Sequence, residues 1–153
     1  MLLQQGAFIS STALLNETVF EHTKIFIAEY NEKGALGFVI DKVFPRRLNE
    51  LEEFKNCRPF PIYEGGPVDQ EHLYFVHQRP ELIDDGVLID DGLYFGGNFQ
   101  QATAAINNHT ITTADLKIFI GYCGWNAGEL EAETEEGSWT VEEGTAEEVF
   151  MNW

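Results

Sequence analysis

The sequence predicts an α+β fold, a mixed, largely antiparallel sheet of about six strands flanked by several helices. Three observations lead to this prediction. Short runs rich in β-branched and aromatic residues recur along the chain, which is typical of strands. Two of these runs are joined by a four-residue turn. Other segments carry apolar residues at helical spacing behind capping residues. The length of 153 residues fits one domain over 1–153.

The first elements are a strand and a hairpin. Residues 7–9 form a short apolar run, and a connection then reaches Phe20. Residues 24–30 and 35–40 are β-branched and aromatic runs joined by the turn Asn31–Gly34. Asn and Gly tolerate the positive φ that a tight turn needs. The pattern therefore predicts an antiparallel β-hairpin.

The next segment combines a short helix with two strands. Leu48, Leu51 and Phe54 recur at helical spacing, which predicts an amphipathic helix over 48–54. Two prolines in the run 58–61 end it. We expect strands at 62–63 and 73–77, with a sharp turn at 64–67 between them.

A quasi-repeat follows, in which Asp-Asp-Gly occurs twice between residues 82 and 93. Asp-Asp-Gly is ordinary turn chemistry, so we interpret it as two turns around a buried strand. It lacks the ligand order of a calcium loop. Residues 93–95 then read as a strand that leads into a helix over 99–106, with Asn98 as its cap.

The last third of the chain repeats the step from strand to helix. Residues 117–120 read as a buried strand, which Gly121–Trp125 carries into a capped helix over 126–131. A short strand at 139–141 precedes a terminal helix that begins at Thr145, whose spacing to Glu148 indicates a capping box. That helix is barely two turns long when the sequence stops.

Several motifs in this order resemble the YqgE/AlgH family of bacterial proteins, whose biochemical function is not established. The resemblance spans nearly the whole chain. It is carried by Gly6–Ile9, Tyr30–Ile40, Tyr63–Val68, His77 and Gly121–Glu131.

The sequence departs from the family pattern at three positions of interest. That pattern usually has Asn where Asp41 stands, a small residue where Cys123 stands, and Gln where Glu129 stands. It also usually continues beyond Trp153, so the resemblance implies that a C-terminal segment is missing. Some members carry the label of transcriptional regulator, which the resemblance would extend to this chain.

The distribution of charge argues against direct DNA binding. The net charge is −17, and seven of the nine basic residues lie between Lys24 and Arg58. No basic residue follows Lys117, while nine glutamates lie between Glu129 and Glu148. Such a field repels phosphate backbones and anionic lipids. We therefore expect no direct nucleic-acid or membrane partner, and only an indirect effect on transcription.

The cysteines and the N-terminal residues favour a cytoplasmic protein. Cys57 and Cys123 lie far apart and outside any C-x-x-C motif, so both are expected to be reduced thiols. No basic start precedes a long apolar run, and no stretch approaches the roughly 20 apolar residues of a membrane span. We expect a monomer or a weak homo-oligomer.

The main functional hypothesis is a noncatalytic binding or regulatory domain that contacts an unknown protein or small ligand. Its candidate contacts are the turn at 65–67 and the glycine-rich segment 121–131, because glycine permits close backbone approach and large rings are enriched at binding surfaces. Tight packing would explain the same glycines. The candidate binding residues are Gly65, Gly66, Pro67, His77, Gly121, Tyr122, Gly124, Trp125, Gly128 and Glu131.

An enzyme of unknown chemistry is the alternative. It would use Cys123 as a nucleophile and His77 as its base, both at predicted strand ends. No carboxylate is obviously placed to orient the imidazole, so two packed strand residues are the simpler interpretation. We assign no catalytic residues.

Metal and cofactor sites are not predicted. His72 and His77 misalign in either a strand or a helix, and Glu129 and Glu133, one helical turn apart, fit a solvated helix face. No glycine-rich turn is followed by the lysine of a nucleotide-binding P-loop. We therefore expect no metal and no cofactor.

Overall fold

The computed structural model describes residues 2–153, which form nine strands, three α-helices and three short 3-10 turns. The strands are β1 Phe8–Ser11, β2 Lys24–Asn31, β3 Gly34–Val39, β4 Ile62–Glu64, β5 Val68–His77, β6 Val87–Asp90, β7 Leu93–Phe95, β8 Leu116–Asn126 and β9 Trp139–Glu142. The helices are α1 Phe99–Asn107, α2 Glu129–Glu135 and α3 Ala146–Val149.

All nine strands belong to one sheet. Its order is β6-β7-β5-β8-β3-β2-β1-β9, with β4 attached to β8 outside that order. The pairings along the order are antiparallel, and β4 runs parallel to β8. The predicted α+β class and the mixed, largely antiparallel sheet are confirmed. The sheet has nine strands rather than about six, because the short strands that the sequence also indicated, such as β4, β6 and β7, all join the same sheet.

The predicted hairpin is present, and so is a strand between the two Asp-Asp-Gly turns, but that strand is mostly exposed and not buried as predicted. In β2 and β3, Phe26 pairs with Phe38 and Asn31 with Gly34. Between the two Asp-Asp-Gly turns lies β6, of which only Ile89 is buried. This strand is at the edge of the sheet, which leaves Val87 and Leu88 exposed.

The helix predicted over 48–54 is wrong. Two 3-10 turns replace it, Leu48–Glu50 and Glu52–Phe54. Between them Leu51 has an extended backbone, with φ −86° and ψ 135°, which interrupts helical hydrogen bonding. The apolar spacing did indicate which side chains face the core. Leu48 is buried, and Leu51 and Phe54 pack against the same cluster.

The segment 121–131 also differs from the prediction, because β8 does not stop at residue 120. It continues to Asn126, and α2 begins only at Glu129. The extension is a tertiary effect: Trp125 pairs with Ala35 and Gly124 with Leu36 of β3. Available strand partners thus override the glycine-rich composition.

The terminal helix is shorter than predicted. α3 ends at Val149, and Phe150 directly after it packs into the core. The backbone N–H of Trp153 donates to the Tyr63 hydroxyl at 3.3 Å. The Met151 carbonyl accepts from Nζ of Lys117 at 3.4 Å.

The strand β8 is the centre of the sheet, and β4 and β5 lie along its two edges. Ile118 pairs with Ile62 of β4 and with Phe75 of β5. Since β4 and β5 are joined only by residues 65–67, this short connection has to pass across β8. It does so at Gly121 and Tyr122, because Val68 pairs with Tyr122.

Candidate functional site

The crossing of residues 65–67 over β8 explains three of the candidate glycines. A methyl group at Gly66 would lie 2.2 Å from the carbonyl carbon of Tyr122, and one at Gly121 would lie 2.4 Å from the Gly66 oxygen. A methyl group at Gly65 would lie 2.5 Å from the Gly121 oxygen. Two backbones therefore touch here, and only glycine fits at these three positions. We call this region the glycine crossing.

The crossing is fixed by hydrogen bonds as well as by contact. Gly65 donates its N–H to Ile120 O at 2.8 Å and accepts from the Val39 N–H at 2.9 Å. The Cys123 thiol donates weakly to the same Gly65 oxygen at 3.5 Å. Pro67 follows as an exposed residue and, with Gly66, lines a surface cavity of about 640 Å³ that also borders Asp41 and Lys42. The packing interpretation accounts for Gly65, Gly66 and Gly121.

Three other candidates, Tyr122, Gly124 and Trp125, come together in a different place. They line a groove of about 350 Å³ between the tip of the β2–β3 hairpin and the end of β8. We call it the hairpin groove. Its lining is Glu29, Asn31, Lys33, Gly34, Ala35, Leu36, Tyr122, Gly124, Trp125, Asn126 and Glu129.

The floor of the hairpin groove is open because Gly124 has no side chain. Gly124 lies opposite Leu36, which in turn lies opposite Glu29 on β2. Gly124 is exposed, and the nearest atom that a methyl group there would meet is Tyr122 Cε1, at an ordinary 3.5 Å. Gly124 is not among the residues with positive φ. Neither backbone conformation nor packing requires glycine at this position.

The Trp125 ring, on the face of β8 away from Gly124, is tied to α2 and β9. The indole N–H groups of Trp125 and Trp139 both donate to Oε1 of Glu133, at 3.0 and 2.9 Å. The two indole rings lie 6.2 Å apart at 83°. One carboxylate oxygen thus orients both rings, and charge-assisted hydrogen bonds of this kind are the strong ones.

The remaining helix residues of the candidate set are at the start of α2. Gly128 has φ +84° and precedes Glu129, whose carboxylate accepts from the Asn126 N–H at 2.6 Å. Glu131 accepts from the Tyr30 hydroxyl at 2.5 Å, a bond that raises the pKa of Tyr30 to about 12. Glu131 therefore joins α2 to the hairpin and does not line the groove.

His77 and Cys123 are not brought together. His77 pairs with Leu116 at the start of β8, whereas Cys123 pairs with Gly37, so that roughly 20 Å of extended strand separates them. Burial raises the pKa of the Cys123 thiol to about 12. A buried thiol with a raised pKa is a poor nucleophile at neutral pH.

Both ring nitrogens of His77 have partners inside the fold. Nδ1 accepts from the Arg79 N–H at 3.1 Å, which leaves Nε2 as the protonated nitrogen that donates to Gly96 O at 3.1 Å. The ring is fully buried between Phe75 and Tyr94. Burial lowers the pKa of His77, so it packs as a neutral imidazole.

The residues considered as metal ligands have other partners. The ring of His72 is exposed and bonds through Nδ1 to Asp69 at 2.7 Å, while His77 is buried. Glu133 is engaged by the two indoles and Glu129 by the Asn126 N–H. Over residues 2–153, no three His, Cys, Asp or Glu side chains are grouped as a metal site would need.

Sequence reasoning missed the six residues that the hairpin contributes to the groove, among them Glu29 and Leu36. Both sit in the predicted hairpin, but the pairing of Leu36 with Gly124 depends on the extension of β8, which the sequence did not predict. A usable signal was present in Gly124 itself, since a glycine inside a strand often marks a place where another group approaches closely. Among the described residues, no helix is long and apolar enough to cross a membrane.

Two solved structures are similar to this fold. The solution structure of the AlgH protein from Pseudomonas aeruginosa matches with a TM-score of 0.77 and 28% identity, over 95% of this chain and 80% of that one. The crystal structure of protein DIP2367 from Corynebacterium diphtheriae matches with a TM-score of 0.80 and 20% identity, over 98% of this chain and 81% of that one. At that identity the second match supports the fold alone.

Curated sequences give a closer match. UPF0301 protein CT0663 from Chlorobaculum tepidum is 35% identical over 99% of this chain and 81% of its own length. A UPF0301 protein from Chlorobium limicola is 36% identical over 98% of this chain and 80% of its own length. The sequence pattern described as AlgH-like matches residues 8–152. The chain therefore belongs to the AlgH-like family, as the motifs in its sequence predicted.

Proposed function

We propose that this protein is a noncatalytic binding domain that takes a protein segment or a small ligand in the hairpin groove. The observation that supports this most directly is Gly124, a strand residue with room for a side chain and none present. Glycine inside a strand destabilises it relative to alanine. At Gly66 and Gly121 the crossing of two backbones explains why the chain has glycine despite this loss of strand stability. At Gly124 the close approach of a bound ligand would explain it.

The construction of the groove supports the same function. Its floor is a pair of hydrogen-bonded strands, with Leu36 of β3 opposite Gly124 of β8. The Trp125 ring is held by Glu133, and the hairpin is held to α2 by the bond from Tyr30 to Glu131. A ligand that enters such a site has little to order on binding, which favours affinity.

The chemistry of the lining suits a polar ligand with some apolar surface. Glu29 and Glu129 supply carboxylates and Lys33 an ammonium group, while Tyr122 supplies ring surface. Aromatic anchors beside a few placed polar groups are typical of recognition sites. The groove offers no buried nucleophile, so we propose binding without chemistry.

The proposal includes a cytoplasmic location and no direct contact with DNA. Cys57 and Cys123 are both free thiols, which is usual in a reducing compartment. The net charge of −17 opposes the counterion release on which DNA binding depends. On this proposal, an effect on transcription would be transmitted through a bound partner.

The test is to fill the groove at Gly124. We expect Gly124→Val to fold, because a β-branched residue suits an exposed strand position and meets only the Tyr122 ring. Immobilised wild-type chain is used to capture partners from the native cytosol, and a library of small polar compounds is screened by amide NMR shifts at Leu36 and Gly124. A partner or compound bound by the wild type should be lost with Gly124→Val.

The control is Thr140→Val, which places the same valine side chain at an exposed position of β9, outside the groove. It should keep every interaction of the wild type. The proposal is wrong if Gly124→Val also keeps all of them, or if neither the capture nor the screen finds anything that binds the wild-type groove.

A further inference from the structure

A second concave site lies outside the hairpin groove and shares no lining residue with it. This cleft, of about 560 Å³, lies between β5, β7, the turn Glu52–Phe54 and the start of α1. Its apolar lining includes Phe54, Leu73, Phe75, Phe95, Phe99 and Ile120. We call it the aromatic cleft. Its volume is within the range of small-molecule sites.

The rings in the cleft are held by one another and not by a covering segment. Phe99 meets Phe54 edge-on at 5.5 Å and Phe75 at 5.2 Å, while Phe95 meets the core residue Phe38 edge-on at 5.6 Å. Phe54, Phe95 and Phe99 are each only partly buried. The structure thus keeps a preformed apolar surface in contact with solvent, although burying it would be favourable.

The rim of the aromatic cleft has one sign of charge. Glu52, Glu53 and Glu71 line it, and no lysine or arginine does so among the residues that the structure describes. Lys55 forms an exposed ion pair with Glu52 at 3.3 Å, so Glu53 and Glu71 are the carboxylates left to a ligand. An acidic rim around an apolar floor attracts cations and repels anions.

The side chain of His72, at the rim of the cleft, is held in place by Asp69. Between Val68 and Leu73 the pairing of β5 with β8 is interrupted by a bulge, and Asp69 adopts φ +53° within it. The Asp69 carboxylate accepts from the Tyr74 hydroxyl and bonds to His72 Nδ1 at 2.7 Å. Both His72 and Tyr74 line the cleft, so the bulge presents an ordered polar group at its edge.

From this geometry and charge we infer that the aromatic cleft binds a small organic cation, an aromatic or branched apolar body that carries one amine. The body occupies the floor between Phe54, Phe75 and Phe99, and the amine lies at the rim near Glu53 and Glu71. Aromatic faces also attract cations directly. This site goes beyond the function proposed for the hairpin groove and does not depend on it.

The test compares three probes that share one ring system and differ in charge. Tryptamine is the cation, tryptophol is neutral and indole-3-acetate is the anion. Binding to the purified chain is followed by NMR shifts of Leu73, Phe95 and Phe99 at about pH 8, because Asp69 raises the pKa of His72 and protonated His72 would offset the rim. We expect tryptamine to bind roughly three- to tenfold more tightly than tryptophol, and indole-3-acetate most weakly.

The decisive variant is Glu53→Gln with Glu71→Gln, since both residues are exposed and the change removes charge without removing volume. It should reduce tryptamine binding to the level of tryptophol and leave tryptophol unchanged. The matched control is Glu135→Gln with Glu136→Gln at the end of α2, which changes the net charge equally at a distance from the cleft. It should leave the order of the three probes as in the wild type.

Three results would overturn the inference. The first is equal or tighter binding of indole-3-acetate than of tryptamine. The second is an equal loss of tryptamine binding in both double variants, which would indicate a general effect of net charge. The third is the absence of any saturable shift with all three probes while the cleft signals move with protein concentration, which would indicate that a second protein chain covers this surface.

Discussion

The glycine crossing and the hairpin groove lie next to each other on β8, and they use glycine in opposite ways. At Gly66 and Gly121 a side chain would overlap a neighbouring backbone, at 2.2 and 2.4 Å. At Gly124 the nearest contact would be an ordinary 3.5 Å. Glycine therefore occurs in this region for two different reasons. The fold requires glycine at Gly66 and Gly121, and it does not require glycine at Gly124.

This difference separates the candidate glycines that the fold requires from one that it does not. Gly65, Gly66 and Gly121 hold the connection between β4 and β5 against β8, and their replacement acts on folding. Gly124 lies on the surface of the groove, and on the proposed function its replacement would act on what enters. Substitutions can separate the two groups, because one set changes stability and the other leaves it nearly unchanged.

The largest effect is expected from Gly66→Ala. The new methyl group would overlap the Tyr122 carbonyl, and neither backbone can withdraw without breaking the pairing of Val68 with Tyr122. Overpacking of this severity destabilises by about 3 kcal/mol or more. Urea unfolding followed by circular dichroism measures the loss. A variant with wild-type stability would show that the two backbones do not touch.

A smaller effect is expected from Lys117 on β8, which should make the free energy of unfolding depend on pH. At this position the fold requires a side chain. Lys117 is 3% exposed, donates to Ile40 O at 2.7 Å and lies 3.8 Å from the centre of the Tyr63 ring. Burial lowers its pKa to about 7. Between pH 7 and the ordinary lysine range the unfolded chain then binds more protons than the folded one, so the free energy of unfolding contributed by Lys117 rises with pH.

The measurement compares wild type with Lys117→Met between about pH 7.5 and 9. The difference in unfolding free energy should shift in favour of the wild type by roughly 1 kcal/mol per pH unit. Both proteins contain Cys123, so its contribution cancels in the difference between them. Because its pKa is raised, Cys123 lowers the free energy of unfolding as the pH rises above about 8. Parallel pH profiles for the two proteins would contradict a neutral, buried amine.

The smallest effect on stability is expected from Gly124→Ala, the counterpart of Gly66→Ala. A methyl group here meets only the edge of the Tyr122 ring, and alanine reduces the freedom of the unfolded chain. We expect a change within about 0.5 kcal/mol of the wild type, in the stabilising direction. The same unfolding assay checks it. A loss as large as that of Gly66→Ala would remove the distinction between the two regions.

The sequence predicted the parts of the fold that depend on local pattern. The hairpin at β2 and β3, the strand-to-helix step at α1 and the membership in the family all follow from residues close together in the chain. The helix over 48–54 was wrong, because the extended backbone of Leu51 is set by what its neighbours pack against. Apolar spacing shows which side chains are buried without fixing the helix type.

For the same reason, only part of the candidate site could be predicted from the sequence. Tyr122, Gly124 and Trp125 were selected from one segment, and they do lie together in the hairpin groove. Gly66 and Gly121 were selected with them because composition cannot distinguish a backbone contact from an open floor. His77 and Cys123 looked like a pair only because both were expected at strand ends, and the register of β8 places them far apart.

The position of β8 between β4 and β5 also has a consequence for synthesis of the chain. The strands β4 and β5 are neighbours in sequence, yet neither can complete its pairing until residues 116–126 arrive between them. During translation the first hundred or so residues therefore leave the ribosome before β8, the strand with which β4 and β5 pair, has been made. Because such pairing between distant segments is slow to form, the nascent chain exposes two unpaired edges, and it depends on its own last third to close them.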